Sequence, residues 1–208
     1  MANAPGALEE AMGHYAAGDD AAFGRVYDLA SGPLFAFLVR LCRDRALAED
    51  LTHEAFLRIH RARGLYRPGA AVLPWAYAIG RRLFLDSVRS RRREAHSLDE
   101  GWQGGGERER PSDPGVPAPD AGADEEVEAR RLAERIERAL GEMPETQATA
   151  FRLLKQQGLS VSEAAAVLGT TEMTVKLRAH RAYESLRKRL GDVLGREAGG
   201  APTKSETS

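Results

Sequence analysis

The chain has 208 residues, of which 42% are hydrophobic and 29% charged, with a formal net charge of −1. That length allows one or two domains with small cores. The near-neutral balance argues against indiscriminate attachment to nucleic acid by bulk charge, while leaving room for opposite local charges. The single cysteine, Cys42, excludes an internal disulfide and fits a reducing compartment.

Cys42 follows the apolar run "LFAFLV" and reads as a buried, inert thiol. The start, "MANAPGALEEAMGHYAAGDD", lacks the basic-then-apolar order of a secretory signal. No run approaches the roughly 18 apolar residues of a membrane span. A cytoplasmic protein without membrane insertion is expected.

Two blocks, 6–95 and 125–193, carry helical periodicity, and neither shows the alternation of strands, so the expected fold is all-α. Between them, 96–124 is rich in glycine, proline and acidic residues and reads as a flexible linker whose one large apolar group is Trp102. The tail, 194–208, is expected to be disordered.

The first block is expected to open with helices over about 6–17 and 19–30, broken and capped at Gly18-Asp19-Asp20. Gly32-Pro33 marks a boundary, with Pro33 starting a third helix to about 43. Asp44 caps a fourth, over 45–63, which Gly64 ends. The segment "LYRPGAAVLP" reads as a loop, and a last helix runs from Pro74 or Trp75 to about Glu94.

The fourth helix contains "AEDLTHEAFLRIH". Helical spacing puts Leu47, Ala48, Leu51, Ala55 and Ile59 on a buried face. Asp50, His53, Glu54, Leu57 and Arg61 share a second stripe, polar but for one leucine, which reads as a docking surface. A metal site is disfavoured. Leu57 stands where H-E-x-x-H needs its second histidine, and His53 and His60 are two turns apart, about 10.5 Å by helix rise. In the last helix Trp75, Ile79 and Leu83 line one side, with Asp86 expected to pair with an arginine inside the bundle. Arg81, Arg82, Arg89, Arg91, Arg92 and Arg93 form a cationic run suited to phosphate.

In the second block, Ser160 and Glu163 make a capping box, S-x-x-E, for a short helix with a small-residue face, Ala164, Ala165 and Leu168. Gly169 closes it, and Thr171 caps a longer basic helix over about 172–190. This is the helix-turn-helix pattern. Met173, Val175, Leu177, Ala179, Ala182 and Leu186 include the inward positions. Lys176, Arg178, His180 and Arg181 include the outward ones, with Lys176, Arg178 and Arg181 as contacts to base or phosphate.

Three segments in this order, "AEDLTHEAFLRIH", "PWAYAIGRRLFLDSVRSRRR" and "LGEMPETQATAFRLLKQQGLSVSEAAAVLGTTEMTVKLRAHRAYESLRKRL", resemble a bacterial sigma factor of the sigma-70 family, of the extracytoplasmic-function (ECF) type. The resemblance implies a region 2 helical bundle and a region 4 helix-turn-helix on a flexible linker. The implied partners are core RNA polymerase (the β′ coiled coil and the β subunit), promoter DNA and an anti-sigma factor, with a monomer when free and neither catalysis nor a cofactor. It implies core-polymerase docking by Asp50, His53, Glu54 and Leu57, and minus-10 binding by Arg81, Arg82, Arg89 and Arg92. The loop "GLYRPGAAVLP" is similar in position to one that holds an unstacked base. Minus-35 binding falls to Thr174, Lys176, Arg178, His180 and Arg181.

The chain departs from the family pattern at His53, where glutamine is usual, at Arg82, where asparagine is usual, and at Met173, where glycine is usual. The competing readings are a stand-alone helix-turn-helix regulator, dimeric and polymerase-independent, and an anti-sigma-like scaffold that only binds partners.

Overall fold

A computed structural model describes residues 6–98 and 123–198. Among them eight α-helices and no strand are found. They are α1 (Ala7–Ala16), α2 (Phe23–Cys42), α3 (Arg45–Ala62), α4 (Val72–Leu98), α5 (Ala123–Gly141), α6 (Glu145–Phe151), α7 (Val161–Leu168) and α8 (Glu172–Ala198). The chain divides into two compact units, the first built on α1–α4 and the second on α5, α6 and α8, with α7 leading into α8. Trp102 and nearly all of the Gly/Pro-rich stretch lie outside the described residues.

In the first unit α2 packs against α1, α3 and α4. Leu8, Ala11, Met12 and Tyr15 of α1 meet the core at the i, i+3, i+4, i+7 spacing of a helix face. Val26, Ala30, Leu34, Phe37, Leu38 and Leu41 do so from α2. Asp44 caps α3 as its sequence implies, its Oδ1 accepting the Leu47 N–H at 3.1 Å. The face Ala48, Leu51, Ala55 and Ile59 is buried, joined by Thr52 and Phe56. The Thr52 hydroxyl donates to the Ala48 carbonyl at 2.7 Å, so no polar group is left wanting there.

Expectations fail at several points in this unit. Gly32-Pro33 is not a boundary, because α2 runs through it unbroken with Pro33 inside. An interior proline costs a helix about 3 kcal/mol or more. Ala30 and Leu34, on either side, are fully buried, so packing of the whole stripe outweighs the lost hydrogen bond. Asp86 is not inside the bundle either. It is exposed and meets Arg89 on the surface, Nη1 to Oδ1 at 3.5 Å.

The core face of α4 is centred on Val72, Ala76, Gly80 and Leu83, leaving Trp75 and Ile79 half-buried at its edge. Gly80 carries that contact. A Cβ there would stand 3.2 Å from Leu34 Cδ1 and 3.3 Å from Leu38 Cδ2. α4 also begins earlier than expected, at Val72, with Pro74 in its first turn where amide hydrogens are unpaired anyway. A carboxylate of α1 supplies a cap, the Val72 N–H donating to Glu9 Oε1 at 3.3 Å.

In the second unit, Ala139, Leu140, Met143, Ala148, Ala182 and Leu186 form one core cluster, flanked by Ile136 and Phe151. α6 passes into a π-helical turn, Arg152–Gln156. There Arg152, a buried charge, is held by Glu137 of α5, Nη2 to Oε2 at 2.9 Å, while Gln156 Nε2 donates to Glu137 Oε1 at 2.6 Å. The capping box is formed on both sides. The Glu163 N–H donates to Ser160 Oγ at 3.3 Å, and the Ser160 N–H to Glu163 Oε2 at 2.8 Å. Gly169 turns the chain with φ of +60°, a left-handed conformation open to glycine at little cost. Thr171 then caps α8, its Oγ1 accepting the Thr174 N–H at 3.3 Å. α8 is longer than expected, reaching Ala198 into the segment read as tail.

Candidate protein and nucleic-acid interfaces

Three surfaces carry the candidate residues. The first is the outward stripe of α3. Asp50, His53 and Leu57 are exposed and Glu54 is half-exposed, salt-bridged to Arg58 of the next turn at 3.2 Å. Leu57, 51% exposed, stands among these charges. An acidic stripe with one protruding leucine offers a partner both charge and an apolar anchor. Among the described residues no three His, Cys, Asp or Glu side chains gather as they would around an ion. His60, the other histidine of the stretch, is occupied elsewhere, its Nδ1 hydrogen-bonded to the Tyr15 hydroxyl.

The second surface is α4 with the loop before it. Arg82, Asp86, Arg89 and Arg93 follow one another along one exposed face, at i, i+4, i+7 and i+11. Arg81 is half-buried on the flank of that face, Arg91 is exposed, and the side chain of Arg92 lies outside the described residues. The face therefore presents several cations against one carboxylate. The loop is ordered by Tyr66, which is buried, donates from its hydroxyl to the Ala70 carbonyl at 2.6 Å and packs 6.0 Å from the Trp75 ring. Leu65 projects from the loop, 82% exposed.

The third surface is the first half of α8. Val175, Ala182 and Leu186 are buried and fix the inward direction. At about 100° per residue, Met173, Leu177 and His180 lie opposite it, and Lys176 and Arg181 stand on the two flanks. All five are exposed. Thr174 is half-buried and engaged in the cap, its hydroxyl 2.9 Å from that of Thr171. Arg178 is half-buried on the inward flank. Met173 and Leu177, which stand among the residues expected to include the inward positions, therefore face out. Anchoring the helical period on Val175, Ala182 and Leu186 alone would have revealed this.

Cys42 is half-buried, and burial above all, aided by Asp44 and opposed by Arg91, pushes its thiol up to about 12. The sulfur thus stays protonated and weakly nucleophilic at neutral pH, as expected of an inert thiol. No helix among the described residues is long and apolar enough to cross a membrane.

Comparison with known proteins agrees with this layout. Residues 27–94 match the family described as Sigma-70 region 2, and residues 133–186 match that described as Sigma-70, region 4. The chain is similar to RNA polymerase sigma factor CarQ of Myxococcus xanthus, 35% identical over 76% of this chain and 82% of CarQ. It is 33% identical to ECF RNA polymerase sigma factor SigE of Mycolicibacterium smegmatis, over 80% of this chain and 65% of SigE. Its fold is shared with the sigma factor RpoE of Bartonella quintana, solved in complex with the anti-sigma factor NepR. That likeness has a TM-score of 0.62 and 24% identity, and covers 81% of this chain and 96% of that one. With both regions matched in order, CarQ related along most of its length, and ECF RNA polymerase sigma factor SigM of Mycobacterium tuberculosis 31% identical over 88% of this chain and 84% of SigM, the chain belongs to the sigma-70 family of RNA polymerase sigma factors, as a member of the extracytoplasmic-function type.

Proposed function

We propose that this chain binds core RNA polymerase and directs it to promoters, with residues 6–95 acting as region 2 and 125–193 as region 4. The stripe Asp50, His53, Glu54 and Leu57 docks on the β′ coiled coil. Arg81, Arg82, Arg89 and Arg92 hold the minus-10 element, and the Tyr66-clipped loop receives an unstacked base from it. Thr174, Lys176, Arg178, His180 and Arg181 engage the minus-35 element. The chain carries out no catalysis itself, works in the cytoplasm as a monomer when free, and is held in check by an anti-sigma factor, as RpoE of Bartonella quintana is bound by NepR.

The observation that carries this reading is the pairing, in one polypeptide, of a matched region 2 and a matched region 4, each turning cations outward on one helix. The test is to add the purified chain to core polymerase and sequence the 5′ ends of transcripts made from genomic DNA. New start sites that share upstream motifs are expected. Their absence, with no inhibitor present, would overturn the proposal. Asp50→Arg with Glu54→Arg should weaken core-polymerase binding at least tenfold, and unchanged affinity would remove the docking face from α3.

A further inference from the structure

The middle of the outward face of α8 is not where its cations stand. Opposite the buried Val175, Ala182 and Leu186 run Met173, 74% exposed, Leu177, 46% exposed, and then His180, while Lys176 and Arg181 occupy the flanks. A single exposed apolar side chain is ordinary. Two of them one turn apart, bracketed by positive charge, form a ridge with a stated electrostatic setting. The flanking cations match two rows of phosphates, and the ridge between them matches what lies between those rows.

A helix with its side chains is about 10–12 Å across, comparable to a major groove about 12 Å wide, and the span from Met173 to His180, about 10.5 Å along the axis, runs along that groove. Within that groove hydrogen-bonding edges predominate, and the apolar group on offer is the C5-methyl of thymine. Leucine and methionine can reward that methyl by desolvation and dispersion, and the unbranched thioether of Met173 can adjust to its position.

We infer that Met173 and Leu177 are specificity residues of this sigma factor, reading thymine methyl groups in the minus-35 major groove while Lys176 and Arg181 hold the flanking phosphates. This rests on the reading of α8 as the minus-35 helix. It shifts the burden of sequence choice from the arginines to the apolar ridge. The arginines and lysine position the helix and carry the salt dependence, and the ridge supplies a preference that salt leaves nearly untouched.

The experiment uses holoenzyme reconstituted from core polymerase and the full chain. Promoters randomised in the minus-35 element are selected by transcription. Each thymine of the selected element, on either strand, is then replaced by deoxyuridine, which removes one methyl and leaves base pairing intact. Loss of a buried methyl should weaken promoter binding about fourfold at one or two positions. Leu177→Ser or Met173→Ser should abolish that thymine–uracil difference. Lys176→Ala and Arg181→Ala should weaken both templates alike. Circular dichroism checks that each variant is folded.

If the wild type still selects a minus-35 sequence, three results overturn the inference and leave the minus-35 assignment standing. These are an element without thymine, deoxyuridine neutral at every position, or a methyl penalty that persists in both serine variants. If no minus-35 preference emerges at all, the assignment of α8 fails, and this inference fails with it.

Discussion

Replacing Glu137 by alanine should damage the second unit far more than loss of a surface ion pair would. An exposed pair contributes about 0–1 kcal/mol, because water and salt compete for both charges. Arg152 has a side chain only 8% exposed, and that of Glu137 is 19% exposed. Their contact at 2.9 Å is supplemented by the 2.6 Å bond from Gln156, and Arg152 Nε has no acceptor among the described residues. Removing the carboxylate leaves a buried guanidinium without its charge partner, which in comparable cases costs about 3–5 kcal/mol. The partial exposure of Glu137 lets water approach, so the lower end, about 3 kcal/mol, applies.

A helical unit of this size has a total stability of only about 4–11 kcal/mol, so that loss is a large share of it. Hydrogen exchange by mass spectrometry on the full chain reads the second unit alone, through the amides of α6 and α8, with α3 as internal reference. Protection in α6 and α8 should fall about 150-fold. Glu137→Leu combined with Arg152→Met, which removes both charges and keeps the volume, should restore it to within about tenfold. A fall of less than about fivefold in Glu137→Ala would mean that the pair behaves as a solvated one and that the burial argument is wrong.

Gly80→Val should destabilise the first unit by at least about 1–3 kcal/mol, since even a Cβ presses on Leu34 and Leu38. Urea unfolding followed by circular dichroism would show a lower midpoint, and an unchanged midpoint would refute the close approach of α2 and α4. Ser160→Ala removes the hydroxyl that accepts the Glu163 N–H and should cost about 1 kcal/mol, read as faster exchange in α7. Cys42, with its thiol raised from 9.0 to about 12, should be alkylated by iodoacetamide at pH 8 on the order of a hundred- to a thousandfold more slowly in the native chain than in urea. Because the folded state holds that proton more tightly, the stability it contributes is complete below about pH 9 and is lost as pH rises toward 12. Cys42→Ala should flatten that alkaline decline in a series of thermal melts.

The features legible in the sequence were those governed by neighbours a few residues away. The caps at Asp44, Ser160 with Glu163, and Thr171 each pair with a donor three residues on, and Gly169 is set by local backbone freedom, so all can be found without the fold. The acidic stripe of α3 follows from a period that its buried side confirms. Features decided by distant packing were not legible. Pro33 signals a break by every local rule, and only the helices around α2 keep it whole. Ala76 and Gly80 are too small to register as a hydrophobic face, yet they set the rotation of α4 and put Asp86 on the surface. Met173 and Leu177 are apolar yet exposed, so side-chain chemistry alone points them to the wrong face of α8. The Arg152–Glu137 pair joins elements whose approach no spacing rule encodes.

Where the polypeptide can be divided is a further matter. The region 2 match starts at residue 27, but Met12 and Tyr15 are sealed within the bundle and Glu9 reaches the first amide of α4. Expression fragments trimmed to the match would strip out the floor of the bundle and uncap the helix bearing the arginine face. Any shortened version meant for crystallography or interaction screens should therefore keep Ala7 onward.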